Sequence, residues 1–125
     1  MNKTFDEIKK LIGTDHSRSY TDYLVGIIMK RNELFDDVWQ IFAAREEDFS
    51  RKAAWVLMHA VTQKPGLITP YLDELVEILP KLIHDGEKRN AIKIVSLVEI
   101  PERLYGMLVE ICFRWLNNTH EATAI

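Results

Sequence analysis

The chain has 125 residues, 47% of them hydrophobic and 28% charged, which is one domain's worth of core with enough charge to solvate it. A formal net charge of -3 argues against general affinity for nucleic acid or anionic lipid. The lone Cys112 excludes an intramolecular disulfide, no apolar run approaches the roughly 18 residues of a membrane span, and Met1 to Glu7 shows no signal-peptide core, so a cytoplasmic location is expected.

In chain order, Thr4 or a neighbour is expected to cap a short helix that runs through Ile12 and closes at Gly13, followed by a polar turn over 14–18. Tyr20, Leu24, Ile27 and Ile28 share one face of a helix from about Ser19 to Arg31. Asn32 is placed to cap the next, Glu33 to Ala44, and Arg45-Glu46-Glu47-Asp48 connects onward. Asp48 or Ser50 caps a helix over about 49–63, with Ala54, Leu57, Met58 and Val61 at i, i+3, i+4 and i+7. Lys64-Pro65-Gly66 ends it, Thr69-Pro70 opens another, and Pro80 must end or kink that one. After the turn His84-Asp85-Gly86 a helix over 87–99 is expected. Pro101 then opens a last helix through Leu116, broken by Asn117-Asn118-Thr119.

These helices repeat. Arg51-Lys52-Ala53-Ala54-Trp55-Val56-Leu57 and Arg89-Asn90-Ala91-Ile92-Lys93-Ile94-Val95 share an arginine-then-apolar pattern 38 positions apart. Asp37-Val38-Trp39-Gln40-Ile41-Phe42, Glu74-Leu75-Val76-Glu77-Ile78-Leu79 and Met107-Leu108-Val109-Glu110-Ile111-Cys112 superimpose with spacings of 37 and 33, and their second, fifth and sixth positions are apolar on one helix face. A period near 40 with only helices between turns marks an α-solenoid, whose units bury their apolar faces on one another.

The pairing resembles HEAT repeats at the first helix of a pair, where a capping residue, an arginine and then small and large apolar residues follow one another from Asp48 to Leu57 and, less fully, from Asp85 to Val95. The first pair departs from the pattern, with Thr21-Asp22-Tyr23-Leu24 where arginine and small residues belong. The resemblance implies an all-α, right-handed, armadillo-type solenoid of about three antiparallel pairs, near 19–44, 48–82 and 86–118, behind a short N-terminal helix and forming a single domain over 1–125. The whole chain also resembles a group of small bacterial HEAT-like proteins, some of which have carried a purine-lyase name. The serine-rich catalytic loop of that superfamily is absent here.

Adding the 38-residue period to Arg89 gives a position just past Ile125, so Thr119 to Ile125 reads as the entry to a further first-type helix and the solenoid as truncated there. Leu108, Ile111, Cys112, Trp115 and Leu116 of the last helix then form an apolar edge, a place for self-association.

The candidate residues divide into two sets. Arg51 and Arg89, with Asp48 and Asp85 nearby, are expected to hold adjacent units in register, although guanidinium forks also suit phosphate or carboxylate ligands. In HEAT-like stacks the second helices line the concave side, and the resemblance places Asp36, Asp37, Trp39 and Gln40 there, then Asp73, Glu74 and Glu77, then Glu110. This acidic face is expected to bind a basic or amphipathic segment of a partner protein.

No catalytic residue, cofactor or metal site is expected. His16, His59, His84 and His120 show no ligand spacing, His84-Asp85 reads as a capping turn, and Cys112 sits at an apolar position. The alternative is a HEAT-like enzyme such as an alkylpurine DNA glycosylase, whose channel must neutralise phosphates with Lys and Arg. The second helices here carry the opposite sign.

Overall fold

Residues 3–14 and 17–117 are described by the computed structural model. Within them the chain forms seven α-helices and no strand: α1 (Lys3–Thr14), α2 (Arg18–Lys30), α3 (Leu34–Ala43), α4 (Glu47–Gln63), α5 (Leu72–Ile78), α6 (Asp85–Ser96) and α7 (Tyr105–Leu116). Short 3-10 stretches at Pro65–Tyr71, Leu79–Lys81 and Glu102–Leu104 lead into or out of α5 and α7.

Local chemistry explains where the helices differ from expectation. Asn32 closes α2 instead of opening α3, because its amide donates to the carbonyl of Ile28 at 2.9 Å, one of the acceptors a helix end leaves unpaired. Ser17 is the residue that caps α2, accepting the N–H of Tyr20 at 3.3 Å. Asp48 and Ser50 are not caps. The helix already begins at Glu47, so Asp48 adds negative charge to its first turn and the Ser50 hydroxyl donates to the Glu47 carbonyl at 3.2 Å.

Gly13 does not end α1, which continues through Thr14. A Cβ on Gly13 would lie 2.8 Å from the Phe49 ring, so glycine here permits α1 to press against α4. Pro70 and Pro80 confine α5 to seven residues between 3-10 stretches, since a proline ring supplies no N–H and clashes with the preceding turn.

The helices form two layers. Residues of α2, α4 and α6 meet around one cavity, and the Lys64 ammonium at the end of α4 donates to the Asn32 side chain at the end of α2, so these first helices lie side by side, with α2 and α4 running in one direction. In the second layer, pairs that increase together along the chain join α3 to the α5 segment and the α5 segment to α7. They are Tyr71 with Asp36, Trp39 with Glu74, Arg103 with Asp73 and Arg114 with the Pro80 carbonyl, at separations of 35, 35, 30 and 34 residues. Three stacked helix pairs follow, as the repeats imply.

α4 is the centre of the stack and packs on α1, α2, α3 and α6. Its Ala53, Leu57, Ala60 and Val61 are fully buried, and the two alanines let neighbouring backbones come close. The apolar positions of the second-helix motif behave as expected in the first two units, with Val38, Ile41, Phe42, Leu75, Ile78 and Leu79 all buried. α1 packs chiefly on α3 and α4, with Lys9 paired to Glu46 at 2.7 Å, so it braces the α3–α4 corner.

The last helix differs from expectation. Ile111 and Trp115 are buried, Leu108 and Cys112 are partly covered, and Leu116 is exposed. The open apolar residues are instead Tyr105, Met107, Val109 and Phe113 together with Leu116. Residues 119–125, read above as the entry to a further helix, lie outside the described residues.

Candidate functional site

The second-layer surface is built around Tyr71. Its ring lies 5.0 Å from the centroid of Trp39 and 5.6 Å from that of Phe35, joining the first unit to the second through aromatic contact. The first turn of α3 places Asp36 where the Tyr71 hydroxyl donates to it at 2.9 Å, and Gln40, one turn on, donates to its other oxygen at 2.6 Å. The first turn of α5 places Glu74 where it accepts the indole N–H of Trp39.

Trp39, expected to face a partner, is only 2% exposed. Its position in the motif turns toward the next unit, and its polar edge is satisfied by Glu74, so its role is to hold the seam.

Three carboxylates shape the potential here. The Tyr71 phenol is pushed up to about 12, first by burial, then by its hydrogen bond to Asp36 and by the charges of Asp36, Glu74 and Asp37. The Asp37 carboxyl is raised from its ordinary value by burial and by Asp36, against a smaller opposing effect of Arg31. Glu33, at the rim, is held below the usual range by its own backbone and by Arg31.

Glu77 and Glu110 are exposed, and Asp73 forms an exposed pair with Arg103 at 2.7 Å. Acid therefore gathers at the seam between the first two units, while the third unit brings Arg103 and Arg114 to the same layer.

The arginine expectations resolve differently. Arg51 reaches only Asp48, at 2.9 Å and three residues earlier on the same helix, with both side chains largely in solvent. That contact is local to one unit, and the expected bridge between units through Arg51 is not present. Arg89 is exposed, and Asp85 is half-buried at the start of α6.

The arginine that ties units together through a buried carboxylate is Arg45, at the turn between α3 and α4. It donates through both terminal nitrogens, at 2.8 Å each, to the two oxygens of Glu87 on α6. Glu87 is fully buried. The signal for it was in the spacing: Glu87, Ala91 and Ile94 stand at i, i+4 and i+7, so the apolar face of α6 carries the carboxylate inward, where it must meet a cation.

Lys88, also buried, places its ammonium 5.5 Å from the centroid of the Trp115 ring and so joins α6 to α7. At the His84 turn the imidazole lies 3.9 Å from Glu47, too far for a hydrogen bond.

A second feature lies in the first layer, where a cavity of about 480 Å³ opens between α2, α4 and α6. Arg51, Lys52 and Arg89 stand on its wall with Trp55 and Asn90, and no described carboxylate lines it. Sequence reading placed neither the cavity nor the convergence of these cations.

Among the described residues no cluster of His, Cys, Asp and Glu has metal-binding form, and no helix is long and apolar enough to cross a membrane. Neither a curated protein nor a solved structure matches the chain. A family model does: stacked helix pairs are what the HEAT repeat domain family describes, its model matches residues 8–125, and the chain belongs to that family.

Proposed function

We propose that the protein is a non-catalytic interaction module that holds a basic or amphipathic protein segment across α3 and α5. The observation that carries this reading is the gathering of Asp36, Asp37 and Glu74 beside Tyr71 at the seam of two units, where their charges add to burial in raising the phenol. Charges that add across two units attract a cationic segment more strongly than scattered surface charges do. Membership of a repeat family whose stacked helices form extended binding surfaces supports the same reading. Glu77 extends the acidic row by one turn of α5, and Gln40 and Glu110 lie at its margins. A DNA-processing channel would need the opposite charge along this layer.

The test is a titration of a fluorescent synthetic peptide of alternating lysine and leucine blocks, followed by anisotropy. Binding should weaken steadily with added salt, since exposed charges are screened beyond about 8 Å at physiological ionic strength. It should also weaken as pH falls through the raised Asp37 carboxyl, whose protonation begins at higher pH than that of an ordinary aspartate. The triple variant Asp37→Asn, Glu74→Gln, Glu77→Gln should lose at least about tenfold in affinity, or 1.4 kcal/mol, with its melting temperature kept. Unchanged affinity and salt slope in that variant would refute the reading.

A further inference from the structure

We propose that the cavity between α2, α4 and α6 is a binding site for a small aromatic anion, one that carries a phosphate or carboxylate on a flat ring. The site lies in the first layer and is independent of the acidic second-layer face. Its volume of about 480 Å³ falls within the range of small-molecule pockets.

The floor and the rim differ in chemistry. Ile12, Leu24 and Val56 are buried and apolar, and Trp55 offers an indole that is 39% exposed. A flat ring is the shape such a floor accepts. The rim carries Arg51 and Lys52 from α4 and Arg89 from α6, so three cations from two units face one space. Asp48 engages Arg51 through one terminal nitrogen in a largely solvent-exposed pair, which screening leaves weak.

Three cations on the wall of one space, above an apolar floor, offer an anion several donors at once. Two guanidinium groups also match the paired oxygens of a phosphate or carboxylate. Asn90 and the buried Thr21 add an amide and a hydroxyl for orientation.

Trp55 supplies the measurement. Of the three tryptophans, Trp39 and Trp115 are 2% and 1% exposed, so a ligand in the cavity acts on the emission of Trp55. The full chain is titrated with phenyl phosphate, benzoate, benzyl alcohol and inorganic phosphate, by tryptophan fluorescence and by calorimetry.

Saturable quenching by phenyl phosphate or benzoate, at least about tenfold tighter than by benzyl alcohol, is the expected result, and the preferred member of the pair identifies the head group. Lys52→Gln and Arg89→Gln should each weaken the anion about tenfold without moving the melting temperature. Trp55→Phe should abolish the optical signal while calorimetric binding persists. Equal binding of benzyl alcohol, equal binding of inorganic phosphate, unchanged affinity in both cation variants, or no saturation with either aryl anion would each overturn the assignment.

Discussion

The two seams of the second layer join residues at nearly the same separation yet are made of different material. Between the first and second units Trp39, Phe35 and Tyr71 interlock, and Asp36 and Glu74 take up their polar edges. Between the second and third, the side-chain ties in the same layer are Arg103 with Asp73 and Arg114 with the Pro80 carbonyl, both in solvent. The third position of the motif shows the same divide, with Trp39 and Val76 buried and Val109 52% exposed. A repeat period sets which residues meet, while burial decides how much each meeting is worth. The aromatic seam should therefore carry most of the cooperativity of the stack.

The sharpest challenge to that comparison is Trp39→Ala. Loss of a buried indole, with Glu74 left unpaired, should cost about 3–5 kcal/mol in urea unfolding. Phe113→Ala, on the open face of α7, should stay within about 0.5 kcal/mol of the parent. Equal losses would show that the third unit is held as firmly as the first.

Arg45→Ala comes next, because it leaves the buried Glu87 carboxylate without its partner, a loss of about 3–5 kcal/mol when no compensation occurs. Arg45 also has a φ of 59°, in the left-handed region that favours glycine. Arg45→Gly should therefore be milder than Arg45→Ala by about 1 kcal/mol. Thermal melts of Arg45→Ala combined with Glu87→Gln should recover part of the loss. If alanine and glycine melt alike, backbone strain is not stored at this turn.

The smallest effect belongs to Arg103→Ala. Its partner Asp73 is exposed, and such pairs are worth about 0–1 kcal/mol, less at high salt. A change above that range, insensitive to salt, would place the second seam on a par with the first.

Much of the scaffold was legible because helix periodicity reports burial directly. The i, i+3, i+4 spacing of Val38, Ile41 and Phe42 and of Leu75, Ile78 and Leu79 placed six side chains in the core correctly. Partners were less legible. Arg51 and Arg45 are both arginines near the start of α4, and only the tertiary placement of α6 decides that Arg45 reaches Glu87 while Arg51 stays on its own helix.

The acidic residues were found as a set, yet three of them prove already engaged, Asp36 by Tyr71 and Gln40, Glu74 by Trp39 and Asp73 by Arg103. Pairings between units depend on how far each helix is shifted along its neighbour, and a single sequence does not encode that shift as a local pattern. The cavity was invisible for the same reason, since its wall comes from residues as distant as Ile12 and Asn90.

The shortness of α5 has a kinetic consequence. Seven residues between Pro70 and Pro80 are too few to hold a helix in water, where roughly 12–15 are marginal. Its helical form therefore depends on the burial of Leu72, Leu75 and Val76 in the core of the stack. The second helix of the middle unit should thus form only together with its docking, so that the aromatic seam and α5 appear in one step.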